Sequence, residues 1–233
     1  MNIKTLRTWL QSSKKTVILT GAGMSTESGI PDFRSTSGWW QNIDPRTVAT
    51  VEALEQNYPL FHAFYKMRIE NLAKVAPHAG HKKLAKWEKQ GMVSLIATQN
   101  VDGFHQLAGS NKVEELHGSI RTIRCHDCQR ASTMQSFLDK EHCVHCGGKL
   151  RPNVVLFGES LPQTSWQTAM REIENAELVL VIGTSLEVYP VNQLPTMTHG
   201  KTVYINLDVT QQITQFDVTI QGKITEVLQQ LQL

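Results

Sequence analysis

No apolar run in this chain approaches the roughly 20 residues that a bilayer-spanning helix needs, so no membrane partner is expected. The stretch Met1 to Lys15 also lacks the unbroken apolar centre of a signal peptide, since Ile3, Leu6, Trp9 and Leu10 recur among polar residues at helical spacing. A cytoplasmic location is therefore expected. Net charge is nearly absent, +2 over 233 residues, too little to argue for nucleic acid or an anionic surface, and any partner must be argued from a site. There is no internal repeat and no low-complexity tract. Cysteine is missing outside two Cys-x-x-Cys pairs, Cys125/Cys128 and Cys143/Cys146, and without an export signal that pattern favours a metal over disulfides. What is present is a globular composition, 40% hydrophobic and 19% charged, at a length that buries one full core and leaves room for a small accessory module.

Two Cys-x-x-Cys knuckles separated by fourteen residues supply four thiolates for a tetrahedral Zn²⁺, and the Gly147-Gly148 turn lets the second knuckle fold back. Four protein ligands leave no position for water, so the zinc is expected to be structural and the chemistry to lie elsewhere. His126, His142 and His145 are the alternative ligands, and a redox dithiol is disfavoured because one pair would suffice. Nucleic-acid binding by this module is the non-enzymatic alternative, and the weak net charge argues against it.

The chain is organised around Gly21 to Ser35, GAGMSTESGIPDFRS, which follows the apolar run Val17 to Thr20. A short β-branched run ending in Gly-Ala-Gly reads as a buried parallel strand turning toward a helix, where backbone N–H groups can meet a phosphate. As a dinucleotide fingerprint it is incomplete, because the third small position is Thr26 and the next glycine is Gly29. The continuation Pro31-Asp32-Phe33-Arg34 adds an acid, an aromatic and a guanidinium that can hold more of a nucleotide than its phosphates. Trp39 and Trp40 follow in the same loop.

From Val48 to Val75 two helices are predicted, interrupted at Pro59, and a third runs through Leu84 and Trp87. Strands are predicted at Met92–Ala97, Val113–Leu116, Val154–Phe157, Leu178–Ile182 and Thr202–Asn206, with helices at Ser165–Asn175 and Ile224–Leu231. This alternation predicts an α/β fold, a doubly wound parallel sheet covered on both faces. The segment 120–150 breaks the rhythm and reads as an insertion. Strand ends collect polar residues that no core needs: Gln99, Asn100 and Asp102; His117; Thr184, Ser185 and Asn206. Carboxyl ends of a doubly wound sheet lie along one edge, so these can converge on a ligand held at the Gly21 turn. His117 has the near-neutral titration suited to a general base. His78 and His81 read only as packing or capping residues.

In that order GAGMSTESGIPDFRS, TQNVD, ELHGS, the two cysteine pairs, VVLFGESLP, GTSLEVYP and INLD resemble the sirtuins of bacterial type, NAD-dependent protein lysine deacylases, over nearly the whole chain. The resemblance implies a Rossmann-like large domain (1–34, 76–119 and 151–233) and an inserted small domain made of a helical part (35–75) and a zinc ribbon (120–150). It implies that Ala22, Thr26, Phe33 and Arg34 line the NAD site with Gln99 on the ribose, and that Asn100, Val101 and Asp102 form the nicotinamide pocket. Thr184, Ser185, Asn206 and Leu207 would hold the adenosine half, and Ile224 would touch adenine through its backbone. His117 would be the catalytic base. Val155, Phe157, Gly158, Glu159 and Val188 would hold the acylated lysine of a protein substrate, added as a strand between the domains. In the implied reaction the acyl oxygen attacks C1′ of the nicotinamide ribose and nicotinamide leaves, the 2′ oxygen then attacks the imidate carbon, and water releases free lysine and 2′-O-acyl-ADP-ribose.

Tyr65-x-x-Arg68, with Ala49 sixteen residues before Tyr65, resembles the subclass that removes succinyl and malonyl groups, whereas the Gly-Ile-Pro-Asp-Phe-Arg loop resembles ordinary deacetylases. The alternative for this helix is Tyr65 packed and Arg68 solvated. The enzymatic alternative is a mono-ADP-ribosyltransferase using the same NAD cleavage. A monomer is expected.

Overall fold

The computed structural model describes residues 2–31, 44–209 and 215–232. The chain forms β1 (Thr16–Thr20), β2 (Leu95–Thr98), β3 (Val113–Glu115), β4 (Gly118–Cys125), β5 (Ala131–Ser132), β6 (Leu150–Val154), β7 (Leu178–Ile182), β8 (Lys201–Asn206) and β9 (Val218–Gln221). Six of these make one parallel sheet in the order β3-β2-β1-β7-β8-β9. Every residue of β1 and β7 is buried, as strands covered on both faces must be.

Side chains alternate between the two faces. Ile18, Leu180 and Ile182 share one core with Leu6, Leu84, Trp87 and Leu228, from the helices Asn2–Ser12, Ala79–Lys89 and Ile224–Gln230. Val17, Leu19, Val179 and Val181 share the other with Ala169 and Ile173 of the helix Gln163–Glu174. The chain lays β1, β2 and β3 outward in one direction and then returns to place β7 on the other side of β1. The strand order therefore reverses between β1 and β7, the position where open α/β sheets bind ligands.

The remaining strands form a three-stranded antiparallel sheet, β5-β4-β6, with its own core of Phe61, Phe64, Tyr65, Phe137, Ile123 and Leu150. Two sequence expectations need correction. Pro59 does not interrupt a helix: it lies in the first turn of Tyr58–Leu72, where a missing N–H costs nothing, and the Asn57 side chain caps that end. Val154–Phe157 is not a strand of the large sheet, because β6 ends at Val154 and pairs with β4. The small sheet begins at Gly118, immediately after His117.

Candidate active site

At the reversal point two turns are packed backbone to backbone. The Gly21 N–H donates to Ile182 O (3.2 Å) and the Gly23 N–H to Gly183 O (2.7 Å). A Cβ on Gly21 would fall 2.5 Å from the Cβ of Thr184, and one on Gly23 would fall 2.9 Å from Gly183 O. These glycines are thus required for the approach of β1's turn to β7's turn, and the fingerprint does not need a third. Thr26 instead closes the short helix Gly23–Thr26 by donating to Gly23 O (3.0 Å). Ala22 is half-buried in the turn. Phe33 and Arg34, with Trp39 and Trp40, lie outside the described residues.

Beside this turn the end of β2 is organised by buried polar contacts. Ser25 Oγ donates to Asp102 Oδ2 (2.6 Å) and accepts from Asn100 Nδ2 (3.2 Å), while Asp102 Oδ1 accepts from the Phe104 N–H (2.8 Å). Burial pushes the Asp102 carboxyl above its usual range, with the Ser25 and Phe104 bonds and the Arg121 and Arg68 charges opposing. The Asn100 N–H donates to Thr98 Oγ1 (3.0 Å), and Thr20 Oγ1 lies 2.8 Å from Thr98 Oγ1 and 2.9 Å from His105 Nε2. His105 and His81, the latter 3.5 Å from Ser25 Oγ, are pushed by burial down to about 4 and about 2, so both are neutral near pH 7. Sequence reasoning gave Ser25, His105 and Arg121 no role. Ser25 lies within the glycine stretch, but nothing local signals a contact 77 residues away. His78 does cap its helix, accepting from the Gly80 N–H (2.9 Å), whereas His81 is fully buried among these polar groups.

His117 ends the segment after β3 and is held, among the described residues, by a ring contact from Nδ1 to Gln99 O at 3.1 Å. A carbonyl only accepts, so Nδ1 carries the proton and Nε2 keeps its lone pair. Burial lowers the pKa of His117 below its ordinary value, against the opposing bond to Gln99, so the imidazole is neutral at physiological pH. Gln99 Nε2 donates to Thr184 Oγ1 (2.9 Å), which links β2's end, His117 and β7's end across the reversal point. Val101 joins from the same loop, its carbonyl accepting from the Ile120 N–H (3.0 Å).

On the other side Asn206 Nδ2 donates to Tyr204 Oη (2.7 Å), whose hydroxyl donates to Thr184 O (2.7 Å). Ser185 follows in the same turn as Thr184, and Leu207, after β8, is 66% exposed with its N–H on Asn206 Oδ1. The Ile224 side chain belongs to the core beneath Gly183 and offers a ligand only its backbone.

The expected substrate strip lies next to His117, with the Val155 N–H donating to His117 O (2.8 Å) and the Phe157 N–H to Ala49 O (2.9 Å). Phe157 and Val188 are exposed apolar side chains, 50% and 43%, suited to an alkyl chain between domains. Gly158 is exposed and takes a positive φ of 91°. The Glu159 carboxylate is committed to Arg151. Tyr65 and Arg68 are both buried, so the alternative of a solvated Arg68 is wrong. The Arg68 guanidinium carbon lies 5.5 Å from the Phe64 ring centre and 5.6 Å from that of Tyr65. Burial lowers its pKa, opposed by attraction to Tyr65 and Asp102. An arginine one turn from a tyrosine and within electrostatic reach of Asp102 can present charge to a ligand entering from the Asp102 side.

The four cysteines come together as the spacing predicts, with all Sγ atoms within 4.8 Å of one another. Cys125 and Cys146 are 3.5 Å apart and Cys128 and Cys143 3.7 Å, close to the edge of about 3.8 Å in a tetrahedron of 2.3 Å zinc–sulfur bonds. The second knuckle folds back through Gly147, at φ 74°, whose N–H donates to Cys143 O. None of the three candidate histidines joins this cluster.

Residues 21–190 match the Sir2 family model. The chain is 46% identical over 231 residues to an NAD-dependent protein deacetylase of Oceanobacillus iheyensis, covering 97% of this chain and 98% of the relative. It is 48% identical over 232 residues to NAD-dependent protein deacetylase 1 of Geobacillus kaustophilus, covering 97% and 96%. Among solved structures, one of Sir2 with a deacetylated p53 peptide and 3′-O-acetyl ADP-ribose superposes with a TM-score of 0.92 at 34% identity, covering 99% of this chain and 97% of the other. A Sir2 homologue in complex with NAD gives 0.91 at 37%, covering 98% and 91%.

Proposed function

We propose, since the chain belongs to the Sir2 family, that it catalyses NAD-dependent removal of acyl groups from protein lysines, giving nicotinamide and 2′-O-acyl-ADP-ribose. The observation that carries this reading is the bonded line His117–Gln99–Thr184 across the strand-order reversal, beside the Ser25–Asn100–Asp102 cluster. Bound NAD would supply the bond between C1′ and nicotinamide that the reaction breaks. Asn100 and Asp102 bring an amide and a carboxyl to one point, the pairing that a carboxamide's donor and acceptor require. His117 Nε2 accepts a proton from a ribose hydroxyl, which frees that oxygen to take the acyl carbon. A closed four-thiolate zinc adds no step and holds the small sheet. We take the enzyme to be a cytoplasmic monomer that binds no nucleic acid, in keeping with its net charge of +2.

The acyl preference in this proposal includes acidic groups. Arg68 and Tyr65 would together hold a terminal carboxylate, and a charge-assisted pair contributes about 1.5 to 3 kcal/mol. The test is mass spectrometry of acetyl-, succinyl- and malonyl-lysine peptides with NAD, on wild type and Arg68→Met. The expected result is turnover of all three by wild type and, in the variant, a succinyl-to-acetyl rate ratio at least about tenfold lower. An unchanged ratio contradicts the acidic pocket. Nicotinamide release without any acylated peptide contradicts deacylation itself and favours ADP-ribosyl transfer.

A further inference from the structure

Arg151 is fully buried, and no step of the reaction uses it. Its fork donates to both oxygens of Glu159, Nη1 to Oε1 at 2.6 Å and Nη2 to Oε2 at 2.9 Å, while Nη2 also donates to Val154 O (2.6 Å) and Nε to Pro152 O (3.3 Å). Glu159 Oε2 accepts the Leu156 N–H (2.8 Å) as well, and the Glu159 N–H donates to Leu156 O (3.0 Å). Every one of these bonds lands on 152–159, and Arg124 Nη2 adds a longer contact to Glu159 Oε1 (3.9 Å), so the Glu159 carboxylate draws the segment together with Arg151 as its bidentate partner. The segment is also held by the pairing of Pro152, Asn153 and Val154 with β4, by the Val155 bond to His117 O and by the Phe157 bond to Ala49 O. Burial pushes the Glu159 carboxyl up, but the Arg151 bonds and charge, with the Leu156 N–H and the Arg124 charge, outweigh it and hold the group below the usual carboxylate range.

We propose that Arg151 and Glu159 are positioning residues for the acylated substrate, fixing Val155, Phe157 and Gly158 as a preformed template that receives the peptide backbone. The inference rests on the deacylase reading above and goes further by assigning part of the affinity for the peptide to side chains whose bonds are to each other and to the segment's own backbone. A template held in this way spares the incoming peptide the cost of ordering 154–159. A point-charge lysine cannot reproduce the two parallel bonds of a guanidinium. The pair acts on backbone placement, so its loss affects every acyl group alike, unlike the loss of Arg68.

The test is steady-state kinetics of Arg151→Lys with acetyl- and succinyl-lysine peptides, with peptide binding measured separately by fluorescence anisotropy. Loss of charge-assisted bidentate geometry is expected to raise KM and Kd for both peptides by about tenfold, with KM for NAD within about twofold and kcat within about threefold of wild type. Unchanged peptide KM and Kd, or a parallel loss in peptide KM, NAD KM and kcat, overturns the proposal. Should Arg151→Lys fail to fold, Arg151→Gln replaces it, since a single amide supplies donors without the bidentate fork or the charge. It is expected to give the same split, and wild-type peptide affinity in it overturns the proposal. A wild type without NAD-dependent turnover but with anisotropy that still weakens in Arg151→Lys separates failure of the deacylase reading from failure of this one.

Discussion

Replacing His117 with tyrosine is expected to slow the formation of free lysine by about a thousandfold, within the range that removal of a positioned general base produces. The fold should survive, because among the described residues the imidazole makes one ring hydrogen bond, to Gln99 O, worth about 1 kcal/mol. The same group sets the pH dependence. The base must be neutral to work, and burial has lowered its pKa below the ordinary 6.5, so the acidic limb of kcat/KM should fall below pH 6.5. Rate measurements from pH 5 to 8 on wild type check this. An acidic limb above pH 7 would show that another group is titrating, and a tyrosine variant with near-normal turnover would remove His117 from the chemistry.

Loss of the metal is expected to have the largest effect on structure. Apparent zinc-binding energies in small Cys-ligated modules are about 10–16 kcal/mol, as large as the whole stability of an ordinary domain. Cys143→Ser, or chelation, should therefore unravel the small sheet. That sheet is covalently continuous with the site: β4 begins at Gly118, next to His117, and ends at Cys125, and β6 begins four residues after Cys146 and leads into Val155. Hydrogen exchange should then show loss of protection over 118–154 with β1 and β7 still protected, and deacylation should be lost with it. Bound metal should fall from one zinc per chain to none. A variant that keeps its zinc and full activity contradicts this role for the four cysteines.

The parallel sheet was legible because its strands are short apolar runs buried on both faces, and Val17–Thr20 and Leu178–Ile182 differ from the observed β1 and β7 by at most one residue. The zinc cluster was legible because its ligands come from two local knuckles. The segment 154–157 misled because Val154-Val155-Leu156-Phe157 has strand composition, while β6 ends at Val154 and the next three N–H groups go to His117 O, Glu159 Oε2 and Ala49 O, partners that no local pattern signals. Val218–Gln221 was missed as β9 because Thr219 and Gln221 make it a polar edge strand rather than an apolar run. Within the site, residues at strand ends could be named in advance because the topology gathers them. Ser25 and His105 could not, since their partners Asp102 and Thr20 lie 77 and 85 residues away and are fixed only by how β1 and β2 pair. Arg68 escaped composition arguments for the opposite reason: a helical arginine is usually solvated, and only the position of its helix against Phe64 and Tyr65 buries it.

The central claim is that the strand-end residues meet around one cleavable bond of NAD and couple its breakage to the release of lysine. Quantitative mass spectrometry of wild-type reactions with an acetyl-lysine peptide tests it most directly. The account predicts nicotinamide, deacylated peptide and acyl-ADP-ribose in a ratio of one to one to one, with no deacylation when NAD is withheld. Free acetate appearing without NAD, or nicotinamide accumulating without deacylated peptide, would contradict it.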